Sequence, residues 1–463
     1  MFQIDVTSLP LEYWLCAAIL FVTCLFAVRL RSQLWAPPFI AVLGTIAAWY
    51  MVEPIYFEDF FSDYTFSAAS TAYRCLLVFL VTFVVAAPVM VRAFQPRGQL
   101  SPQQLYALHP EQLIPPIVFL WLCLLAYGIY RMEGDVFGAL FPIEGRTGLS
   151  MWGRGAAEDA GMSGFIVSAG AYLYVLCLGL FGLMFPLTKK TPMRLLLAIC
   201  IALSWPYAFL QGSRNVTLAV VIPALAAYLL IGKRTPAQKV FIAIGSFLAL
   251  DFVMRGIIGF RNVGFEAASL TEVESTKHLG LNMASELINI AGFVEDGVME
   301  ISYGMGYLAE LLNIVPRAIW ADKPILGINY AIVRGFGGGE SDIGVFATLS
   351  TGIVGQGVLN FGTWFGPIAA GLLMASWVGL LTRLRFQGGT ARTALFLIGL
   401  GLTFNLGRDI TLLVLFPFVF GYIGVLILEA REKGKRARLT LTNTPIVSGR
   451  TANAAHLRAD LPE

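Results

Sequence analysis

Residues 68–91 read AASTAYRCLLVFLVTFVVAAPVMV, an apolar run interrupted by one charge, Arg74, and one proline, Pro88. A helix needs about 20 predominantly apolar residues to cross the hydrocarbon core of a bilayer, and a run this long and this uniformly apolar reads as a membrane span. Working outward, the same signature recurs at Leu11–Val28, Leu34–Val52, Leu113–Ile129, Gly164–Leu187, Leu195–Leu210, Val216–Ile231, Val240–Ile258, Phe365–Leu381, Ala394–Phe404 and Ile410–Leu428. The run at Ala394–Phe404 is the shortest. The sequence predicts an all-α polytopic membrane protein with about eleven transmembrane helices.

Composition agrees with that reading. Of 463 residues, 57% are hydrophobic and 13% charged, against about 25% charged in soluble domains. The net charge of +3 is small, and the basic residues are dispersed between spans rather than gathered in a groove with aromatics, which excludes nucleic acid as a partner. All 6 cysteines fall inside apolar runs without metal-ligand spacing, so they read as small core residues. The start, MFQIDVTSLPLEYW, lacks a basic n-region and carries Asp5 and Glu12, which predicts a first span that is retained. No HExxH or GxSxG motif occurs, and the glycine-dense GFGGGESDIG at 335–344 is not followed by GK[ST], so it is no P-loop and reads as a flexible substrate loop. The sequence predicts neither a metal site nor a cofactor.

Lysine and arginine gather in short cytoplasmic loops. Arg29 and Arg31, Arg92 and Arg97, Lys189, Lys190 and Arg194, Lys233, Arg234 and Lys239, and Arg383, Arg385 and Arg392 occupy every second loop, joined by the tail EAREKGKRAR. That side is assigned to the cytoplasm together with the C-terminus. The opposite side receives the N-terminus, the acidic segment Glu53–Asp63, the QGSRN turn at 211–215 and a large segment between the eighth and ninth spans. The expected organisation is a membrane domain over 1–258, a large periplasmic loop with interfacial helices over 259–362, the last three spans over 363–430 and a disordered tail over 431–463.

The informative anomaly is a set of arginines on the side that should be poor in them: Arg214, Arg255, Arg261, Arg317 and Arg408. An arginine at mid-bilayer costs about 2.5–3.5 kcal/mol on insertion scales and less near the interface. A bound anion offsets that cost, and the planar guanidinium fork suits a diphosphate, which it can meet with two parallel hydrogen bonds. Snorkelling to lipid phosphates or pairing with nearby carboxylates is the alternative. Ser213 and Asn215 flank Arg214 at a tight turn and helix start, where backbone N–H groups also receive phosphate. The stretch from Leu279 to Leu312 supplies carboxylates suited to general-base work, among them Glu286. In VPRAIWADKP, Trp320 can stack on a sugar while Asp322 and Lys323 offer polar contacts. Two non-enzymatic readings stay open: a transporter or flippase, with Arg74, Asp251 and Arg255 on its path, and a non-catalytic assembly partner.

Three segments, QGSRN at 211–215, GYLAELLNIVPRAIWADKP at 306–324 behind a glutamate-bearing helix, and GQGVLNFGTWFG at 355–366, resemble the O-antigen polymerases, the oligosaccharide repeat-unit polymerases of bacterial surface polysaccharide synthesis. The resemblance covers roughly residues 200–430. It implies a metal-independent glycosyltransferase of the bacterial inner membrane. Such an enzyme transfers the glycan of one undecaprenyl-diphosphate-linked oligosaccharide to another lipid-linked unit at the periplasmic face, beside a flippase and a chain-length regulator. On this reading Arg214, Arg317 and Arg408 stabilise the leaving diphosphate, Glu286 is the base, and Ser213, Asn215, Trp320, Asp322, Lys323 and Asn360 bind substrate, joined by Arg255 and Arg261 from their expected topology alone. The arginine-to-glycine spacings of some polymerases are not cleanly present: Arg317 and Arg334 each meet a glycine at a slightly different interval. The related O-antigen ligases are the second enzymatic reading.

Overall fold

The computed structural model describes residues 9–30, 33–57, 59–95, 109–143, 150–152, 162–210, 214–231, 235–267, 281–312, 315, 319–320, 328–335 and 349–443. Among these the regular elements are helices: α1 (Leu11–Arg29), α2 (Ala36–Tyr50), α3 (Val52–Tyr56), α4 (Phe66–Phe94), α5 (Ile114–Arg131), α6 (Val136–Leu140), α7 (Met162–Leu187), α8 (Thr191–Leu210), α9 (Arg214–Leu230), α10 (Pro236–Ala267), α11 (Met283–Glu295), α12 (Met305–Leu312), α13 (Ile328–Val333), α14 (Ile353–Gln387), α15 (Thr390–Arg408) and α16 (Leu412–Asn443). Among the described residues, 7 helices are long and apolar enough to cross a membrane, and Ala36–Tyr50, Arg214–Leu230 and Ala237–Leu250 are shorter apolar helices. The chain is a multi-pass, all-α membrane protein.

Helices dominate because lipid offers backbone groups no partner, so each N–H must be satisfied within its own segment. Their starts follow ordinary rules. The Thr65 hydroxyl accepts from the Ala68 N–H at 3.2 Å to open α4, and Pro37 and Pro115 lie in first turns, where a missing N–H costs nothing. Large apolar side chains such as Phe21, Val85, Phe119, Phe241 and Phe252 are exposed along the flanks, as expected of helices solvated by lipid.

Small residues set the packing, because lipid tails are as apolar as the side chains and close backbone approach becomes the main source of affinity between helices. The central pair is α4 and α14. A methyl group at Gly371 would stand 2.9 Å from the Phe79 carbonyl oxygen, and one at Gly379 would stand 3.0 Å from that of Met90. The pairs advance together along both chains, so the two helices run parallel. Gly401 of α15 likewise sits against the Pro223 ring of α9.

Helix α14 is two helices joined at Gly362, whose φ of 78° only glycine adopts readily. A Cβ on Gly357 would collide with the Gly366 carbonyl. In a straight helix residues nine apart lie about 13 Å from each other, so Ile353–Phe361 doubles back on the longer arm that follows. The motif GQGVLNFGTWFG is therefore a tight helical hairpin, with glycines at 357 and 366 where the two backbones touch.

The element boundaries depart from the sequence reading in specific ways. The short arm of α14 begins at Ile353, inside the segment assigned to the outer loop up to 362, because glycine spacing disguised its packing face. The run at Ala394–Phe404 belongs to the longer helix Thr390–Arg408. Helix α16 continues to Asn443, past residue 431, where a disordered tail was expected; Glu, Ala, Arg and Lys in EAREKGKRAR are strong helix formers and extend the last span. Cys16, Cys75, Cys177 and Cys200 are buried, Cys24 is half-buried and Cys123 is exposed, so the expectation of core cysteines fails for Cys123, whose side chain lies on an outer flank of α5.

Candidate functional site

Four contacts bring separate helices of the chain together at one end of the bundle. The Trp49 indole N–H of α2 donates to the Phe404 carbonyl of α15 at 2.8 Å, and Gly407 sits against Thr45. The Asn405 amide of α15 donates to the Asn215 carbonyl in the first turn of α9 at 3.2 Å. The Thr217 hydroxyl donates to the Ala208 carbonyl at 2.9 Å, fixing the end of α8 against the start of α9. Residues just beyond these contacts therefore share one region: Glu53 after α2, Arg214 opening α9 and Arg408 closing α15.

Glu53 is 2% exposed and lies outside the long helices, in the short helix α3. Its Oε1 accepts from the Leu281 N–H at 3.2 Å. Burial pushes its carboxyl up from the ordinary value to about 7; the Leu281 N–H and the Arg214 guanidinium hold it down, and the Glu286 carboxylate adds to the rise. Glu53, Arg214 and Glu286 thus sense one another electrostatically.

Glu286, 4% exposed in the first turn of α11, is the centre of a second group. Its Oε2 accepts from the Tyr330 hydroxyl and from Arg334 Nε at 3.4 Å, and its Oε1 accepts from the Asn282 amide at 3.2 Å. Burial and the adjoining Glu286 carboxylate push the Tyr330 phenol well above its usual range, so it remains a donor. With three side-chain donors on it, Glu286 anchors the segment carrying Tyr330 and Arg334.

On the far side of Arg408, Asp409 is 6% exposed, and its Oδ1 accepts from both the N–H and the hydroxyl of Thr351 at 3.0 Å each. Burial raises its carboxyl, opposed by Arg408 and the Ser350 and Thr351 donors. Asp409 thereby ties the end of α15 to the residues that lead into the hairpin. Asn360 is 3% exposed near the hairpin turn. Its Oδ1 accepts from the Ser302 hydroxyl at 3.0 Å and the Tyr307 N–H at 3.1 Å, while its amide donates to the Gln356 carbonyl at 2.7 Å. Expected as a substrate contact, Asn360 is committed to clasping α12 onto α14.

Of the remaining expected site residues, Arg255 and Arg261 lie on α10, and Trp320 is half-buried beside an exposed Ile319. Ser213, Arg317, Asp322 and Lys323 lie outside the described residues. Sequence reasoning passed over Glu53, Tyr330 and Arg334 as functional groups. Glu53 carried a usable signal: a glutamate in Val-Glu-Pro directly after an apolar run is costly unless it has a task. Tyr330 carried none, and Arg334 stood out only through its interval to a glycine. Among the described residues no three His, Cys, Asp or Glu side chains gather closely enough to hold a metal ion. No protein-family model matches this chain, and neither the characterised proteins nor the solved structures include a match.

Proposed function

We propose that this protein polymerises undecaprenyl-diphosphate-linked oligosaccharide repeat units at the periplasmic face of a bacterial inner membrane, working with about eleven spans and a cytoplasmic C-terminus. The observation that carries the reading is the meeting of Arg214, the end of α15 bearing Arg408, and the buried carboxylates Glu53 and Glu286 at one end of the bundle. Cations that stay charged at any physiological pH, set at a bilayer boundary, suit a lipid diphosphate. A nearby carboxylate suits removal of a proton from a sugar hydroxyl.

In the proposed reaction an acceptor hydroxyl oxygen bonds to the anomeric carbon of the donor glycan. The bond from that carbon to the phosphate oxygen breaks, and undecaprenyl diphosphate leaves with the electron pair. Negative charge grows on the leaving diphosphate, so arginines placed there bind the transition state more tightly than the ground state. Deleting the gene in its host tests the assignment. Single repeat units should accumulate on the lipid carrier at the outer face while long polymer disappears; accumulation at the cytoplasmic face would indicate a flippase, and unattached polymer a ligase.

A further inference from the structure

Resting on that reading, we infer that Glu53, rather than Glu286, is the catalytic base that takes the proton from the attacking acceptor hydroxyl. Glu286 is already occupied by Tyr330, Arg334 and Asn282. Glu295 is paired with Arg74 at 3.0 Å, Asp409 receives both Thr351 donors, and Asp296 and Glu300 are exposed. Among the described carboxylates of this region, Glu53 alone combines burial with a single hydrogen-bond donor, the Leu281 N–H. It also neighbours Arg214, the cation that opens α9.

The chemistry balances within the reaction already proposed. As the acceptor oxygen bonds to the anomeric carbon, its proton passes to the Glu53 carboxylate, and the electron pair of the broken bond leaves on the diphosphate facing the arginines. Burial makes a carboxylate a stronger base than it is in water, and a base that titrates near the working pH is the most effective kind. Glu53 meets that condition, with its carboxyl raised to about 7.

The test uses full-length protein in lipid nanodiscs with lipid-linked repeat units extracted from the deletion strain. Polymer formation and undecaprenyl diphosphate binding are measured separately. Glu53→Gln should bind undecaprenyl diphosphate within about twofold of wild type, yet polymerise at least roughly 100-fold more slowly, the lower end of what a general base contributes. Glu53→Ala should regain activity when formate is added, since a small carboxylate can occupy the vacated space. Wild-type rates in Glu53→Gln would overturn Glu53 as the base and leave the polymerase reading standing. Loss of undecaprenyl diphosphate binding in Glu53→Gln, with no formate rescue of Glu53→Ala, would overturn it in favour of a structural role. Failure of the wild-type protein to extend the repeat units would overturn both.

Discussion

Asn405 and Asn215, 190 positions apart in sequence, are joined by a 3.2 Å hydrogen bond from the Asn405 side-chain amide to the Asn215 carbonyl. This bond holds the end of α15 against the start of α9, and so fixes the approach of the segments bearing Arg408 and Arg214. Asn405→Leu keeps the volume and removes the donor. It should cost about 0.5–1.5 kcal/mol in stability, as for an ordinary hydrogen bond, while polymer yield falls more than protein abundance does. Membrane immunoblots beside a glycan gel would check this, and parallel losses in both would contradict it.

The hairpin of α14 depends on bare backbone at Gly357 and Gly366. Gly357→Val inserts a branched side chain where two backbones touch, and overpacking of this kind typically costs about 1–3 kcal/mol or more. The variant should be depleted from the membrane. Gly44→Ala, at a helical site with nothing within 4 Å, should accumulate normally, and thermal unfolding in detergent separates the two.

Removing one member of the Glu286 group should be worse than removing its centre and cation together. Glu286→Leu takes the Glu286 acceptor away from the Arg334 guanidinium, whose side chain is 26% exposed, and from the Tyr330 hydroxyl. Breaking a fully buried pair costs about 3–5 kcal/mol, and water reaching Arg334 reduces that to roughly 1–3 kcal/mol. The double variant Glu286→Leu with Arg334→Leu should recover part of the loss in thermal stability. Additive losses would show that the pair does not act as a unit.

The groups facing Glu53 give a signed pH dependence: Arg214 from α9, Glu286 from α11 and Tyr73 from α4. Its carboxyl rises from the ordinary 4.5 to about 7 on folding, so the folded chain holds that proton more tightly than the unfolded one. The stability this contributes is fully present below 4.5 and is lost as the pH climbs through about 7. Catalysis needs the anion, so polymerisation should rise with pH through the same range. Arg214→Gln removes the charge that holds the carboxyl down and should move this limb to higher pH; Glu286→Gln should move it lower. An acid limb unmoved by both changes would contradict the coupling.

The all-α, multi-pass membrane architecture was legible because lipid imposes one dominant requirement, long apolar helices, and residues such as those at 68–91 state it within a single window. Arg214 and Arg408 drew notice for the complementary reason, that a charge beside an apolar run stands out against its surroundings. What local reading missed depends on contacts across the chain. The GQGVLNFGTWFG segment reads as the start of a span, because its alternation of glycine and apolar residues does not announce that Gly357 meets Gly366. Asn360 looks like a polar group awaiting substrate until Ser302, Tyr307 and Gln356 are seen to satisfy it. Glu53 and Glu286 differ through their partners: Tyr330, Arg334 and Asn282 donate to Glu286, and among the described residues one backbone N–H, that of Leu281, donates to Glu53.

Whether Arg214 and Arg408 serve glycan polymerisation at a lipid diphosphate is read from a surface-glycan gel of the deletion host. The host is complemented with wild type, Arg214→Ala or Arg408→Ala, with membrane abundance checked for each. Wild type should give a full ladder and both variants single-repeat product at matched abundance. A wild-type ladder from either variant would contradict it.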